Sequence, residues 1–184
     1  MKPRIPSLAL STCLVFLMQL TFVAGHSGIR PKRDHLTRQE ADMLRDTQEL
    51  DKRINVLIKA AERRAAIITS PNTSQAETEL WGEIKGTRAD LLYDISMILD
   101  EAITNIDDVS GRDERNPLIP KSIRKLAEAS TRIIAKLLPL GDKFEERSER
   151  RSYEQVMENA ASIIEAAGKL PPPSAKSKKK SDNR

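Results

Sequence analysis

The chain has a single cysteine, Cys13, and only two histidines, His26 and His35. From Leu36 onward there is neither a thiol nor an imidazole. The usual general base at neutral pH is thus missing from most of the protein. A Ser-His-Asp or Cys-His arrangement cannot be assembled there. Glu-x-x-His di-iron pairs and H-E-x-x-H zinc helices are excluded on the same ground. There is no G-x-G-x-x-G and no phosphate loop, so the common nucleotide cradles are absent too. Aromatic residues make up only 3% of the chain. Beyond residue 25 they are Trp81, Tyr93, Phe144 and Tyr153. A core must therefore come from Leu, Ile, Val, Met and Ala, as in a helical bundle. No segment shows the period-two alternation of a half-buried strand.

The start of the chain is better furnished. Lys2 and Arg4 precede an apolar run of 17 residues, Leu8 to Ala24, and Val23-Ala24-Gly25 follow as small residues. This is the layout of an export signal cleaved before His26. The expected location is periplasmic or extracellular in a bacterial host. One alternative is an uncleaved N-terminal membrane anchor, although the run falls short of the ~20 residues that span a bilayer. Another is lipidation at Cys13, after Leu10-Ser11-Thr12. Cleavage leaves about 159 residues without a thiol, which suits an oxidising compartment and is long enough for one domain with its own core.

The charge is unevenly spread. The whole chain carries +4, but residues 26–34 carry +2, residues 169–184 carry +5 and the body between them carries −5. The basic character belongs to the ends, and the body does not resemble a nucleic-acid surface.

The spacing of apolar residues predicts an all-α protein: an antiparallel, up-down four-helix bundle over residues 36–168, after a signal at 1–25 and a flexible linker at 26–35. The first helix, 37–68, starts at a Thr37–Glu40 capping box and carries Met43, Leu50, Ile54, Leu57, Ala61 and Ala65 on one face. Pro71 and its polar neighbours make a turn. A Ser74–Glu77 box then opens a second helix, 75–106, with Gly82 and Gly86 in its interior. Residues 107–116 read as a loop. Pro120 suits the entry to a third helix, 120–138, and Pro139-Leu140-Gly141 ends it. Asp142 opens a fourth helix, 142–167, with Gly168 as its C-cap. The long first hairpin and the short third helix suggest a protruding end able to pair with a second copy. Pro171-Pro172-Pro173 leads into a disordered basic tail, 169–184.

Few residues look like a site. Asp107, Asp108, Asp113 and Glu114 surround Gly111 and are the best candidates to wrap a hard cation, though not with EF-hand spacing. Asp90 and Asp94 lie four apart beside Arg88 and Tyr93, where a carboxylate pair facing a cleft could do acid–base work. More commonly such a pair is a solvated stripe. Trp81 is a candidate interface anchor or core-edge residue. Asn72-Thr73-Ser74 has the form of a glycosylation acceptor. In the tail, Lys176, Lys178, Lys179, Lys180 and Arg184 suit an anionic lipid or envelope polymer. The tail has no aromatic to stack on bases, which argues against specific nucleic-acid binding.

The runs Thr37-Arg38-Gln39-Glu40-Ala41, Leu44-Arg45-Asp46-Thr47-Gln48 and Asp51-Lys52-Arg53-Ile54 resemble the opening helix of uncharacterised secreted helical proteins of bacteria. The resemblance covers about 20 of 184 residues. It implies export and an all-α body, and brings no activity with it. Together these features point to an exported, non-enzymatic bundle without a cofactor, acting through protein or envelope-surface contacts or by self-association. A polyanion-tethering module driven by the tail is one alternative. A bundle that binds a metal or small ligand is the other.

Overall fold

Thr37 opens the first helix as its sequence implies. Its hydroxyl accepts the Glu40 N–H at 3.1 Å, and a Glu40 carboxylate oxygen accepts the Thr37 N–H at 2.9 Å. The computed structural model describes residues 34–70 and 75–172, which belong to a unit beginning at Asp34. Residues 1–33, expected to hold an export signal, residues 71–74, with the expected turn and glycosylation acceptor, and the lysine-rich tail lie outside the described residues. The helices are α1 (Arg38–Asp46), α2 (Leu50–Thr69), α3 (Gln75–Trp81), α4 (Arg88–Arg112), α5 (Leu118–Leu137) and α6 (Arg147–Gly168). A 3-10 turn, Leu138–Lys143, joins the last two. Among the described residues there is no strand, and no helix is long and apolar enough to cross a membrane.

The expected first helix is two helices. In one straight rod Glu40 and Arg64 would stand ~36 Å apart, at about 1.5 Å per residue. Instead Arg64 Nη2 lies 2.8 Å from Glu40 Oε2, so α1 folds back along α2. The chain turns through extended backbone at Thr47 and Glu49. Arg53 then donates Nη1 to the carbonyls of Leu44 (2.9 Å) and Thr47 (3.2 Å). It thereby satisfies helix-end acceptors that a continuous helix would have bonded internally.

The expected second helix is also broken, at the two glycines that its spacing places in the interior. Gly82 has φ +80° and Gly86 φ +137°. A Cβ on Gly82 would stand 2.4 Å from Gln39 Oε1 and 2.9 Å from Thr37 Oγ1, so only glycine lets α1 approach this closely. Thr87 and Asp90 form a second capping box that starts α4. The helix continues through 107–112, where a loop is expected, and ends with Asp113 as C-cap. Asp142 sits in the 3-10 turn rather than opening α6.

α2, α4, α5 and α6 have 20, 25, 20 and 22 residues. They are nearly matched, so the unequal lengths behind a protruding hairpin do not occur. α2 packs on α4 and α5, and α6 packs on the same two, whereas α4 and α5 barely touch. Their cross-links give directions. Arg53 meets Asn105 and Arg64 meets Asp94, so α2 and α4 run oppositely. Asp51 meets Lys121 and Glu62 meets Arg132, so α2 and α5 run the same way. Arg88 meets Glu149 and Ser96 meets Asn159, so α4 and α6 are also parallel neighbours. A bundle whose neighbours are all antiparallel is met only in part, because the connection after α4 crosses to the far side of the bundle.

Ile54, Leu57, Leu92, Ile95, Ile98, Leu126, Ile133, Leu137 and Val156 are fully or almost fully buried between these helices. Each such aliphatic side chain contributes roughly 1.5–3 kcal/mol by leaving water. Phe144 closes one end. It is fully buried, with the Tyr153 ring 5.0 Å away and the Arg88 guanidinium 5.3 Å from its centroid. Arg88 is fixed there by two 2.8 Å bonds to Glu149. That pairing, ahead of opposing desolvation, raises the arginine's pKa above its usual value.

Candidate functional site

Four of the buried charged side chains among the described residues form one cluster. Glu40, on α1, is completely buried. Arg63 and Arg64, consecutive on α2, are 4% and 2% exposed, and Asp94 of α4 is 1% exposed. Arg63 Nη1 donates to Glu40 Oε1 at 2.6 Å. Arg64 reaches both carboxylate oxygens, at 3.1 and 2.8 Å, and its Nε is 3.6 Å from Asp94 Oδ2. Two positive charges thus meet two negative ones, which offsets part of the large cost of taking ions out of water. Arg63 also donates to the carbonyls of Trp81 (3.2 Å) and Gly82 (2.7 Å). Its guanidinium lies 5.9 Å from the Trp81 ring centroid. The Thr37 hydroxyl donates to the same Trp81 carbonyl at 2.5 Å. One cluster therefore pins α1, α2, α3 and α4 together.

This geometry is that of a clasp. Glu40 accepts from Arg63, from both terminal nitrogens of Arg64 and from the Thr37 N–H, and it has no face open to a substrate. A general acid or base must reach a substrate atom directly or through one water. Glu77 borders the cluster, 3.8 Å from Arg63 Nε and 2.6 Å from Lys59. Its pKa is lowered, first by the Lys59 hydrogen bond, against a smaller opposing effect of burial.

A second charged region opens to solvent. The start of α5 and the residues after α6 line a groove of about 560 Å³ that includes Pro120, Lys121, Arg124, Lys125, Pro171 and Pro172. Lys121 and Lys125 reach the two Asp51 oxygens at 3.0 and 2.7 Å. Arg124 donates to the Pro171 carbonyl and, at 3.4 Å, to that of Pro120. This holds the segment after α6 against α5. The Asp51 pKa is lowered, chiefly by its hydrogen bond to Lys125, with desolvation opposing and Lys121 adding to the drop.

The residues singled out from sequence fare unevenly. Asp90 and Asp94 do not form a pair: Asp90 caps Thr87, and Asp94 is buried beside Arg64. Asp107 and Asp108 sit on the end of α4, Asp113 is its C-cap and Glu114 follows. Asp113 accepts the Arg115 N–H at 3.2 Å. Among the described residues no three His, Cys, Asp or Glu side chains come together as a metal site. Trp81 ends α3, half-buried, as a core-edge residue. His35, expected in the linker, is anchored to Glu101 of α4 at 2.7 Å. Lys176, Lys178, Lys179, Lys180 and Arg184 lie outside the described residues.

Sequence reasoning misses Glu40, Arg63 and Arg64 as a group. The available signal is two adjacent arginines between Ala60, Ala61 and Ala65 on an otherwise apolar face. The chain matches no protein-family model, and neither a protein of assigned function nor a solved structure is detectably similar to it.

Proposed function

We propose that this is an exported, non-enzymatic four-helix bundle that acts by contact, and that its contact face is the basic end where α5 begins and α6 finishes. Export is supported by the charged start, apolar run and small residues of positions 1–25. In the bundle, successive members α2, α4, α5 and α6 alternate in direction.

The observation that carries the contact reading is the groove. Three cations, Lys121, Arg124 and Lys125, stand on its wall against one lining carboxylate, Glu128. All three are at least partly open to solvent. Pro172, on the groove wall, leads in sequence straight to Lys176, Lys178, Lys179, Lys180 and Arg184. The first of these tail cations therefore stands four residues beyond a residue of the groove wall. Near an anionic surface each is worth about 1 kcal/mol. The partner this suits is an anionic envelope lipid or polymer. The buried clasp stiffens the opposite end and takes no part.

The test is cosedimentation of the mature chain with phosphatidylglycerol vesicles. Binding at ~0.1 M salt should fall at least tenfold near 1 M, where the screening length drops from about 10 to 3 Å. Deleting 173–184 should remove most of it, and Lys121→Gln with Lys125→Gln a smaller share. Unchanged binding after the deletion would sink the reading.

A further inference from the structure

α4, α5 and α6 leave a cleft of about 200 Å³ between them, bordered by Ile123 and Leu126 on the same turns of α5 that carry the groove cations. Its walls are Ile103 and Ile106 from α4, Ile123 and Leu126 from α5, and Ile163 from α6. On α6 the small residues Ser162 and Ala166 line it, where α4 and α5 present isoleucine and leucine. The cleft is open to solvent on the α6 side, where Ser162 and Ala166 are exposed, and apolar at its base, where Ile106, Leu126 and Ile163 are buried. An apolar cavity of ~150 Å³ accepts benzene. One aromatic ring with a short arm is the right size.

One lining residue is charged. Asp107 is exposed at the cleft, and its carboxylate makes no ion pair or hydrogen bond among the described residues. It sits near the C-terminal end of α4, whose final carbonyls carry the negative end of the helix dipole. Arg112, on the same helix end, is occupied with the Asp108 carbonyl at 3.1 Å. An apolar hollow with a free carboxylate at its edge complements an apolar body that carries a cation.

We propose that this cleft binds a small aryl- or alkyl-ammonium ligand, its ring or chain among the isoleucines and its ammonium against Asp107. The site is independent of the basic face and would survive the failure of that reading.

The probes are phenethylamine, its neutral analogue 2-phenylethanol and its anionic analogue phenylacetate. They are titrated into the full mature chain while the methyl resonances of Ile103, Ile106, Ile123 and Ile163 are followed. The amine should bind about fivefold more tightly than the alcohol, the factor that ~1 kcal/mol for a close exposed pair supplies. Phenylacetate should bind weakest. Asp107→Asn should erase the preference for the amine while leaving the alcohol unchanged. Ala166→Leu should fill the cleft and abolish the shifts for all three, with helical circular dichroism retained. Equal binding of amine and alcohol to the native protein overturns the proposal. So does the absence of methyl shifts at millimolar amine.

Discussion

Two charge clusters hold α2 to its neighbours, and they differ in one respect. In the first, Glu40, Arg63, Arg64 and Asp94 are all less than 5% exposed. In the second, the single carboxylate Asp51 is buried, while the Lys121 and Lys125 side chains are 54% and 32% exposed. Both tie helices together across long stretches of sequence. Only the second keeps cations in reach of a partner. Burial turns a charge into architecture, because an ion sealed from water destabilises the fold unless it is paired. Partial exposure leaves the same chemistry weak as a tether and free to exchange partners.

The largest consequence concerns Glu40. Glu40→Gln removes the carboxylate charge shared by two buried arginines and puts an amide NH2 where one of its two acceptor oxygens stood. Unfolding by denaturant should show a loss of about 3–5 kcal/mol, the usual result of breaking a buried ion pair. Lys121→Gln should cost less than ~1 kcal/mol by the same measurement. Similar losses for the two would mean that burial does not separate the clusters. Replacing Glu40, Arg63, Arg64 and Asp94 together by Leu or Met of similar volume should recover much of the stability. That recovery would mark the cluster as structural.

Glycines test the same contrast on a smaller scale. Gly82 lies at the clasp, with φ +80° and its carbonyl 2.7 Å from Arg63 Nη2. Gly82→Ala adds left-handed strain of about 1–3 kcal/mol and pushes on Gln39 and Thr37. A methyl group added to Gly111, near the end of α4, would meet nothing within 4 Å. There Ala should add up to ~1 kcal/mol of stability by restricting the unfolded chain. Thermal melts of the two variants should move in opposite directions.

Much of the fold is legible in the sequence. Helical class follows from the apolar spacing, and the Thr37–Glu40 capping box stands where the sequence places it. The breaks at 47–49 and 82–87 are not legible, since each interrupts a stripe whose spacing continues beyond it. What decides them is tertiary. α1 turns back because Glu40 finds Arg63 and Arg64, and the second break needs Gly82 under Gln39. Periodicity reports which face is buried, not which residue meets it. Asp94 shows the limit well. The sequence reads it with Asp90 as a cleft pair or a solvated stripe, yet it lies buried among Leu91, Leu92, Ile95 and Ile98. Its partner Arg64 stands 30 residues earlier, beyond any local rule. The apolar cleft is hidden for the same reason, being lined by three helices.

The smallest effect separates the clusters by pH. Asp51 has a lowered pKa, first through Lys125 and then, after opposing desolvation, through Lys121. Such a carboxylate binds its proton less readily when folded than when unfolded. Its contribution is complete above the unfolded carboxylate value near 3.8 and disappears as pH falls through the lower folded value. Asp51→Asn should therefore cost under ~1 kcal/mol at neutral pH. The gap between native protein and variant should stay constant down to about pH 5 and close in stronger acid. Added salt should narrow it as well, because both lysines are partly solvated. A gap that closes in acid but is unaffected by salt would place Asp51 with the buried cluster, and Lys121 and Lys125 would then be part of the scaffold instead of the contact face.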